Sequence, residues 1–536
     1  MVKSKQFARP QKAPKAKAVE PQTVDEYQDA ADKEEETGGK WRAGDPAKSG
    51  RAFLRALEVY DKGLKKFPNS FDLAYNKARL ELEVSQSPVI VEKIGLDLQS
   101  FLRQTLDSHR LALGLDAENI DVRFNASQVM TSLAEVLSED EEGDDEEAVK
   151  LLHESLEMLE GCLARQEMAI EQQKADFPEG DAEDEGEGEG GVPVESEGES
   201  KDAAKGESSA NNDAEADEED EEQSAVIENP VTGNDLLDTV HASLSALTTL
   251  IPLVGESALG DLGDMAHAFT DNKAPNYVAL LPADEQDAAR LEVGLARAGF
   301  IAAYADAQYN ARLIELQTYV ERLQAFKDLP NKDSDAHALT TEARARFELV
   351  LSALDQHASS SPADFPVSDC WKQLSITQEL LTKATKLTTD DAKERKAEVY
   401  QSKGDAELIR FRLASMPGDA LSENVRKSGP TLLANTFKFF KGAADHAKVL
   451  GDEEVADKAK GRMAVVHVMA KVASQEGAGA GSSSSSGSSA SNNAPALPGP
   501  APKGVDLMEA MNECLEDGMI DLAGAEKVLA GLGKPA

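Results

Sequence analysis

The chain has 536 residues, and 56 Lys and Arg against 99 Asp and Glu give it a formal net charge of −43. This length allows roughly three or four domains. Only 40% of the residues are hydrophobic and 5% are aromatic, so part of the chain lacks the apolar surface to form a core. So acidic a chain is a poor candidate for sequence-independent DNA binding, which requires cationic surface to release counterions, and we expect no direct DNA binding.

Composition also limits where the chain acts. It contains no apolar run of about 18 residues and no apolar signal region at its start, so we expect a chain of the cytoplasm, the nucleus or both, without membrane contact. Three cysteines, Cys162, Cys370 and Cys514, lie too far apart in sequence for a local metal motif or a disulfide framework. We interpret them as buried, inert thiols.

No motif in the sequence indicates catalysis. There is no glycine-rich phosphate loop followed by a lysine, no HExxH motif and no GxSxG motif, and the eight histidines are scattered singly. The sequence therefore predicts a protein that is not an enzyme and that binds no cofactor and no metal. The alternative is a catalytic site assembled from residues that lie far apart in sequence.

In chain order, the first predicted element is a disordered tail over residues 1–45 that is basic at its start. Positions 1–17 contain six Lys and Arg residues and no acid, and Pro10 and Pro14 make a helix there unfavourable. A solvated terminus is the ordinary interpretation of such a tail. A nuclear-import or RNA-contacting role, or folding back onto acidic segments of the chain, stays open.

Residues 46–175 are predicted to form helical repeats. In FLRALEVYDKGLKKFPNSFDLAYNKARLEL, the residues Ala56, Tyr60, Gly63 and Pro68 follow one another at intervals of 4, 3 and 5. Small residues at two of these positions let a neighbouring helix approach, the aromatic residue fills the space between them, and the proline ends the helix. A weaker copy, LALGLDAENIDVRFNASQVM, follows after an insertion of about one helix over residues 90–102.

This spacing resembles the second helix of a tetratricopeptide repeat (TPR) followed by the first helix of the next repeat. The resemblance implies an all-α fold, namely a TPR-like α-solenoid of antiparallel helix pairs, interrupted here by disordered acidic and Gly/Ser linkers. It also implies protein binding in a concave groove, for which Asn76, Lys77, Arg123 and Asn125 are the candidate residues. Some solenoids of this family clamp the carboxylate at a chaperone's C-terminus, but Asp121 stands where that clamp requires a lysine.

Residues 176–224 are predicted to be a disordered acidic linker. From Asp176 to Glu222 the sequence contains 21 acidic residues and two lysines, a net charge of −19. Such a stretch cannot bury enough apolar surface to offset the entropy of ordering it. Ser138 and Ser196 lie in acid-rich contexts and are candidate phosphorylation sites. The linker is either a solubilising spacer or a polyanion that engages basic clients such as ribosomal proteins or histones.

Three further segments complete the chain. Residues 225–475 read as a helical repeat or bundle domain, in which an apolar stripe from Leu236 to Leu247 indicates an amphipathic helix. Residues 476–504 are predicted to be a Gly/Ser/Pro linker, and residues 505–533 two short helices that are tethered rather than integrated. Taken together, these segments predict a scaffold, or else a dedicated chaperone or assembly factor. The alternative is a structural subunit of a larger stable complex.

Overall fold

The computed structural model describes residues 20–42, 44–140, 143–176, 230–357, 365–479 and 502–531. Within these ranges the regular structure is helical throughout, and no strand is present. The protein is therefore an all-α solenoid, as the sequence predicts.

The α-helices and their bounds, in chain order, are α1 (Val24–Trp41), α2 (Pro46–Lys66), α3 (Phe71–Ser85), α4 (Pro88–Ile94), α5 (Leu98–Leu115), α6 (Ile120–Glu139), α7 (Asp145–Asp176), α8 (Gly233–Leu250), α9 (Leu259–His267), α10 (Ala274–Val278), α11 (Gln286–Asn310), α12 (Leu316–Arg322), α13 (Ala336–His357), α14 (Val367–Ala384), α15 (Asp390–Glu394), α16 (Lys396–Ser415), α17 (Glu423–Arg426), α18 (Gly429–Leu450), α19 (Glu453–Gly479), α20 (Leu507–Glu516) and α21 (Leu522–Gly531).

Helix packing follows chain order, so that each major helix contacts the helices before and after it. Two rows result. We call α1, α3, α6, α8, α11, α13, α16 and α19 the inner row, and the helices that return between them the outer row. Consecutive inner-row helices from α1 to α16 also contact one another directly. This nearest-neighbour packing is the defining property of a solenoid.

The inner-row helices run parallel to one another. Between α6 and α8, Asp121 lies close to Asp235 near the N-terminal ends, and the Thr249 hydroxyl donates to Glu135 at 3.1 Å near the C-terminal ends. Further contacts between neighbouring inner-row helices are the pairs Glu35–Arg79, Asp306–Ser352, Arg344–Glu398 and Asp405–Arg462. Groups that are far apart in sequence therefore lie side by side along one face.

Local sequence signals explain where the helices begin. Asp45, Ser70, Asn119 and Thr232 each accept a backbone N–H of the helix that follows, which satisfies one of its free donors. Thr232 forms a full capping box with Asp235 at the start of α8.

The motif that carries the TPR resemblance packs as the spacing predicts. Ala56 and Tyr60 of α2 are fully buried, and the Tyr60 hydroxyl donates to Glu35 at 2.6 Å. A Cβ at Gly63 would lie 2.9 Å from a Leu73 side-chain atom, so α3 approaches α2 too closely for a larger residue. The predicted insertion contains α4, which packs on α2.

The structure corrects the predicted boundary at residue 45. Residues 24–41 form α1, which packs along α2 and buries Tyr27 and Ala31, so they belong to the array and not to a tail. This helix has few apolar residues in a strongly charged sequence, which hid its periodicity. Residues 1–19, which include the basic positions, lie outside the described residues.

The acidic segment interrupts one array and does not separate two domains. Helix α7 ends at Asp176, and α8 packs directly on it through one shared core. The Gln173 amide, oriented to pair with Val231, donates to its carbonyl at 3.2 Å and accepts from its N–H at 2.9 Å. The two ends of the insertion are therefore held together. Most of the predicted acidic linker, from residue 177 onward, lies outside the described residues.

The last two helices are also part of the array, which corrects the prediction that they are only tethered. Cys514 of α20 and Val528 of α21 are fully buried against α19 and its neighbours. Arg412 donates to the Gly518 carbonyl at 2.9 Å, which attaches the turn between α20 and α21 to α16. Helix α19 extends to Gly479, slightly into the predicted Gly/Ser/Pro linker.

One stretch of the described residues, Gly233–Leu253, is long and apolar enough by composition to cross a membrane, with a mean hydropathy of 1.3. It is essentially α8, and 56% of it is buried inside the array. Leu236, Val240, Leu244 and Leu247 face this core, as the apolar stripe predicts. The apolar character of α8 is thus accounted for by its central position.

Candidate functional site: an acidic groove on the inner row

Two adjoining cavities follow the exposed face of the inner row. The first, about 430 Å³, lies between α6 and α8 and is lined by Phe124, Gln128 and Glu135 on one side and Asp238 on the other. The second, about 440 Å³, lies over α11 between α8 and α13. Both include His241 and Ser245 of α8, so the two cavities adjoin along this helix, and we treat them as one groove. We call it the acidic groove, and its second cavity the α11 recess.

Four carboxylates line the groove: Glu135, Asp238, Asp306 and Glu348. We call them the groove carboxylates. Their surroundings raise the pKa of each one, and partial burial among protein atoms is the largest cause in every case. Repulsion adds to this, because Asp235 and Glu292 raise the pKa of Asp238, and Asp306 raises that of Glu348.

Few cations offset this charge. Among the described residues that line the two cavities, Arg344 is the only Lys or Arg, and it pairs with Glu398 of α16 at 2.8 Å. His241 lies near Asp238 and slightly lowers its pKa. The groove therefore has an excess of negative charge, which a basic ligand would neutralise.

Asp306 is held in a fixed position. It accepts hydrogen bonds from Ser352 at 2.5 Å, Asn310 at 2.9 Å and Tyr319 at 3.2 Å. Tyr319 is buried, which together with Asp306 raises its pKa far above the usual range and keeps the phenol protonated as a donor. The carboxylate thus stays ordered before any ligand arrives.

Two of the predicted groove residues lie on inner-row helices. Asn125 of α6 is half-buried and hydrogen-bonds with the hydroxyl of Tyr75 on α3. Asn76 of α3 is half-buried, and no hydrogen bond connects its side chain to the described part of the chain. Neither residue lines the two cavities, although the first cavity begins on α6 beside Asn125, at Phe124 and Gln128. Their role in binding a client stays a prediction.

The other two predicted groove residues have partners within the array, and their role in binding a client stays a prediction. Lys77 contacts Asp61 of α2 at 2.9 Å and Glu81 at 3.6 Å, so it links α3 to the outer row. Arg123 donates from Nε to the Ala117 carbonyl at 2.8 Å. Both side chains satisfy charges or carbonyls within the array.

Of the two predicted phosphorylation sites, only Ser138 is described. It lies in the last turn of α6, is half-buried, and donates to the Glu135 carbonyl at 2.9 Å. Ser196 lies outside the described residues. Phosphorylation of either residue stays a prediction.

The three cysteines are buried, as the sequence predicts. Cys162, Cys370 and Cys514 are all inaccessible, and burial raises their pKa to about 11, about 12 and about 12 respectively. Thiols of this kind are poor nucleophiles. Within the part of the chain that is described, no group of three or more His, Cys, Asp or Glu side chains is arranged to hold a metal ion.

Sequence reasoning did not identify the groove carboxylates. They lie at positions 135, 238, 306 and 348, on four different helices, and only the parallel register of the inner row brings them together. One signal was available: each is an acid on the face of its helix opposite the buried stripe, and only Glu348 has a Lys or Arg, namely Arg344, one turn away on that face.

Comparison with known proteins gives limited similarity. No family model matches the chain. Over 125 residues it is 40% identical to UPF0656 protein C926.02 of Schizosaccharomyces pombe; this match spans 23% of the present chain and 27% of the length of the yeast protein. A solved circular tandem repeat protein, described as having a novel repeat topology and enhanced subunit contact surfaces, superposes over 95% of this chain and 98% of its own, with 12% identity and a TM-score of 0.29.

Proposed function

We propose that the chain is a non-enzymatic scaffold or dedicated chaperone that holds a basic segment of a protein client in the acidic groove. The observation that carries the proposal is the run of four groove carboxylates across α6, α8, α11 and α13, against which the described lining offers one Lys or Arg, Arg344, already paired with Glu398. Ionised groups held close together repel one another, and a basic ligand removes that repulsion on binding. The packing of Tyr60 and Gly63 supports a distant relation to TPR proteins, which bind other proteins.

The position of the acidic segment supports a joint role with the groove. The segment returns to the array at the N-terminal end of α8, next to Asp235 and Asp238. The segment has a net charge of −19 between Asp176 and Glu222, and it is attached to the array next to a part of the groove that is already negative. Such a field speeds the encounter with basic proteins and weakens with salt. Ribosomal proteins and histones, which the chain would encounter in the cytoplasm or the nucleus, are basic and would complement this negative charge.

The test is an affinity purification at low and high salt with purified histone octamer as the probe. Four forms of the full chain are compared: the unaltered chain, one lacking residues 177–222, a groove variant and a matched outer-row control. The groove variant is Glu135→Gln, Asp238→Asn and Glu348→Gln, and the control removes three exposed charges of α7 by Glu157→Gln, Glu160→Gln and Glu171→Gln.

We expect the groove variant to lose at least about tenfold in affinity, while the outer-row control binds as the unaltered chain does. Deletion of the acidic segment should mainly slow association, because its charge acts at long range. Equal binding by the groove variant and the control would contradict the proposal. A partner that co-purifies at fixed stoichiometry regardless of salt or groove charge would instead indicate a structural subunit.

The predicted role of the two asparagines is tested separately. Asn76→Ala combined with Asn125→Ala should weaken client binding while the helical content stays unchanged. Unchanged affinity would restrict recognition to the cavities from α6 onward and would remove the asparagines from the site.

A further inference from the structure

The α11 recess has a floor made almost entirely of small side chains. Ala296, Gly299 and Ala303 line it, and they recur at helical intervals of three and four residues. A Cβ at Gly299 would meet no atom within 4 Å, so the space above this residue is empty. Beneath this stripe, Phe300 and Ala302 are buried and complete an apolar base.

Two parallel helices form the walls. Leu244, Ser245 and Thr248 of α8 stand on one side, and Thr341 and Ala345 of α13 stand on the other. Each wall covers about two helical turns, so the recess is elongated along the helix axes. At about 440 Å³ it falls within the usual range for ligand sites.

Acidic residues close both ends of the stripe. Helical spacing places Glu292 and Asp306 on the same face as the small residues, one at each end, roughly 21 Å apart at 1.5 Å per residue. Glu292 lies close enough to Asp238 to raise its pKa, and Asp306 does the same to Glu348. Asp306 and Glu348 thus line one end of the recess, and Glu292 and Asp238 lie just beyond the other. Arg344 on the α13 wall is the one Lys or Arg among the described lining residues, and it pairs with Glu398 of α16.

We propose that the α11 recess binds one amphipathic α-helix of a basic client, with small or aliphatic residues against the floor and Lys or Arg at both ends. This inference rests on the proposed function and specifies the form of the bound segment. Small residues let helix axes approach to about 8 Å, so a helix seated here would pack as the array's own helices do. Its apolar face would anchor in the recess at i, i+3 and i+7.

An extended peptide fits this recess less well. Its side chains alternate between two faces, so only every second residue would meet the floor, and its backbone groups would need partners. The floor and walls offer mainly aliphatic atoms along their middle. A helix satisfies its own backbone hydrogen bonds and presents one continuous apolar face.

The probe is a fluorescein-labelled peptide of about 18 residues built from Leu, Ala and Lys, with Leu at i, i+3 and i+7. Two peptides of equal length serve as comparisons: one with two central prolines, which keeps the charge but breaks the helix, and one with Glu in place of Lys. Binding to the full chain is measured by fluorescence anisotropy. The chain is compared with Gly299→Leu, which fills the recess without changing charge, and with Gly114→Leu, another helical glycine with open space around it.

We expect the helical cationic peptide to bind the unaltered chain and Gly114→Leu alike, and to bind Gly299→Leu at least tenfold more weakly (about 1.4 kcal/mol). The proline peptide should bind comparably weakly to all three chains, and the Glu peptide should not bind. If the proline peptide binds as well as the helical one, or if Gly299→Leu has no effect, the helix inference is wrong while the acidic groove keeps its proposed client. If neither cationic peptide binds, both proposals fail.

Discussion

Arg462 is the residue whose loss we expect to detach the end of the array. It lies on α19, is 4% exposed, and its guanidinium contacts Asp405 of α16 and Asp517 at the end of α20. Replacement by Met would remove the charge and keep much of the side-chain length. Asp405 would then be left as a buried carboxylate that has lost its hydrogen-bond donor.

The expected loss of stability depends on which of the two carboxylates stays buried after Arg462 is replaced. Removing one member of a buried ion pair costs about 3–5 kcal/mol, since the other charge is left unpaired. Asp517 is one-third exposed and keeps Lys458 at 3.3 Å, so most of the penalty falls on Asp405. We therefore expect Arg462→Met to destabilise the docking of α20 by about 3 kcal/mol, the low end of that range.

The pH dependence has a definite sign. Burial already raises the pKa of Asp405, and losing Arg462 would raise it further. A folded-state pKa above the unfolded value stabilises the folded state at low pH, and this contribution is lost as the pH rises through the folded pKa. The defect should therefore be smaller at about pH 5 than at about pH 8.

Labelling of Cys514 by N-ethylmaleimide, followed by mass spectrometry, measures the opening of α20 directly, because this thiol is fully buried when the helix is docked. Rates are normalised to those of the denatured chain at the same pH. A loss of about 3 kcal/mol predicts labelling about a hundredfold faster. Arg290→Met, which breaks an exposed pair with Asp287, is the control and should change the rate little. If Arg462→Met labels no faster than this control, the reasoning is refuted.

Three further outcomes are expected. Gly404→Leu should lower the free energy of unfolding by about 1–3 kcal/mol, because a Cβ there would lie 2.4 Å from Phe440, and combining it with Phe440→Ala should cost less in urea melts than the sum of the two single substitutions. The groove carboxylates have raised pKa values, so thermal stability should increase as the pH falls from neutral towards about 5, and a flat profile would contradict this. All three cysteines should resist Ellman's reagent in the native chain at about pH 8 and react once urea unfolds it.

The sequence predicted packing correctly where the spacing within one short motif is enough to determine it. Tyr60 and Gly63 lie one turn apart on the same helix face, so their joint burial could be inferred from spacing alone. Helix α1 was missed because its buried face consists of only a few residues, among them Tyr27 and Ala31, in a highly charged stretch. Its helicity depends on packing against α2, which no local pattern reveals.

The groove could not be predicted for a different reason. Its carboxylates come from helices separated by up to about 200 residues, and their proximity depends on the register between parallel inner-row helices. Lys77 and Arg123 were plausible groove residues by position, yet each had an intramolecular partner that only the packed helices reveal. Charge pairing across helices is a tertiary property.

The contact between Gln173 and Val231 gives the acidic insertion unusual freedom to change length. Because α7 and α8 pack on each other directly, the array does not depend on the chain that joins them. The entropy of closing a loop grows only with the logarithm of its length, so doubling it costs about 0.6 kcal/mol. Residues can therefore be added, removed or exchanged between these two anchors at little thermodynamic cost, which makes this position a natural site for variation in charge and for inserting a reporter domain.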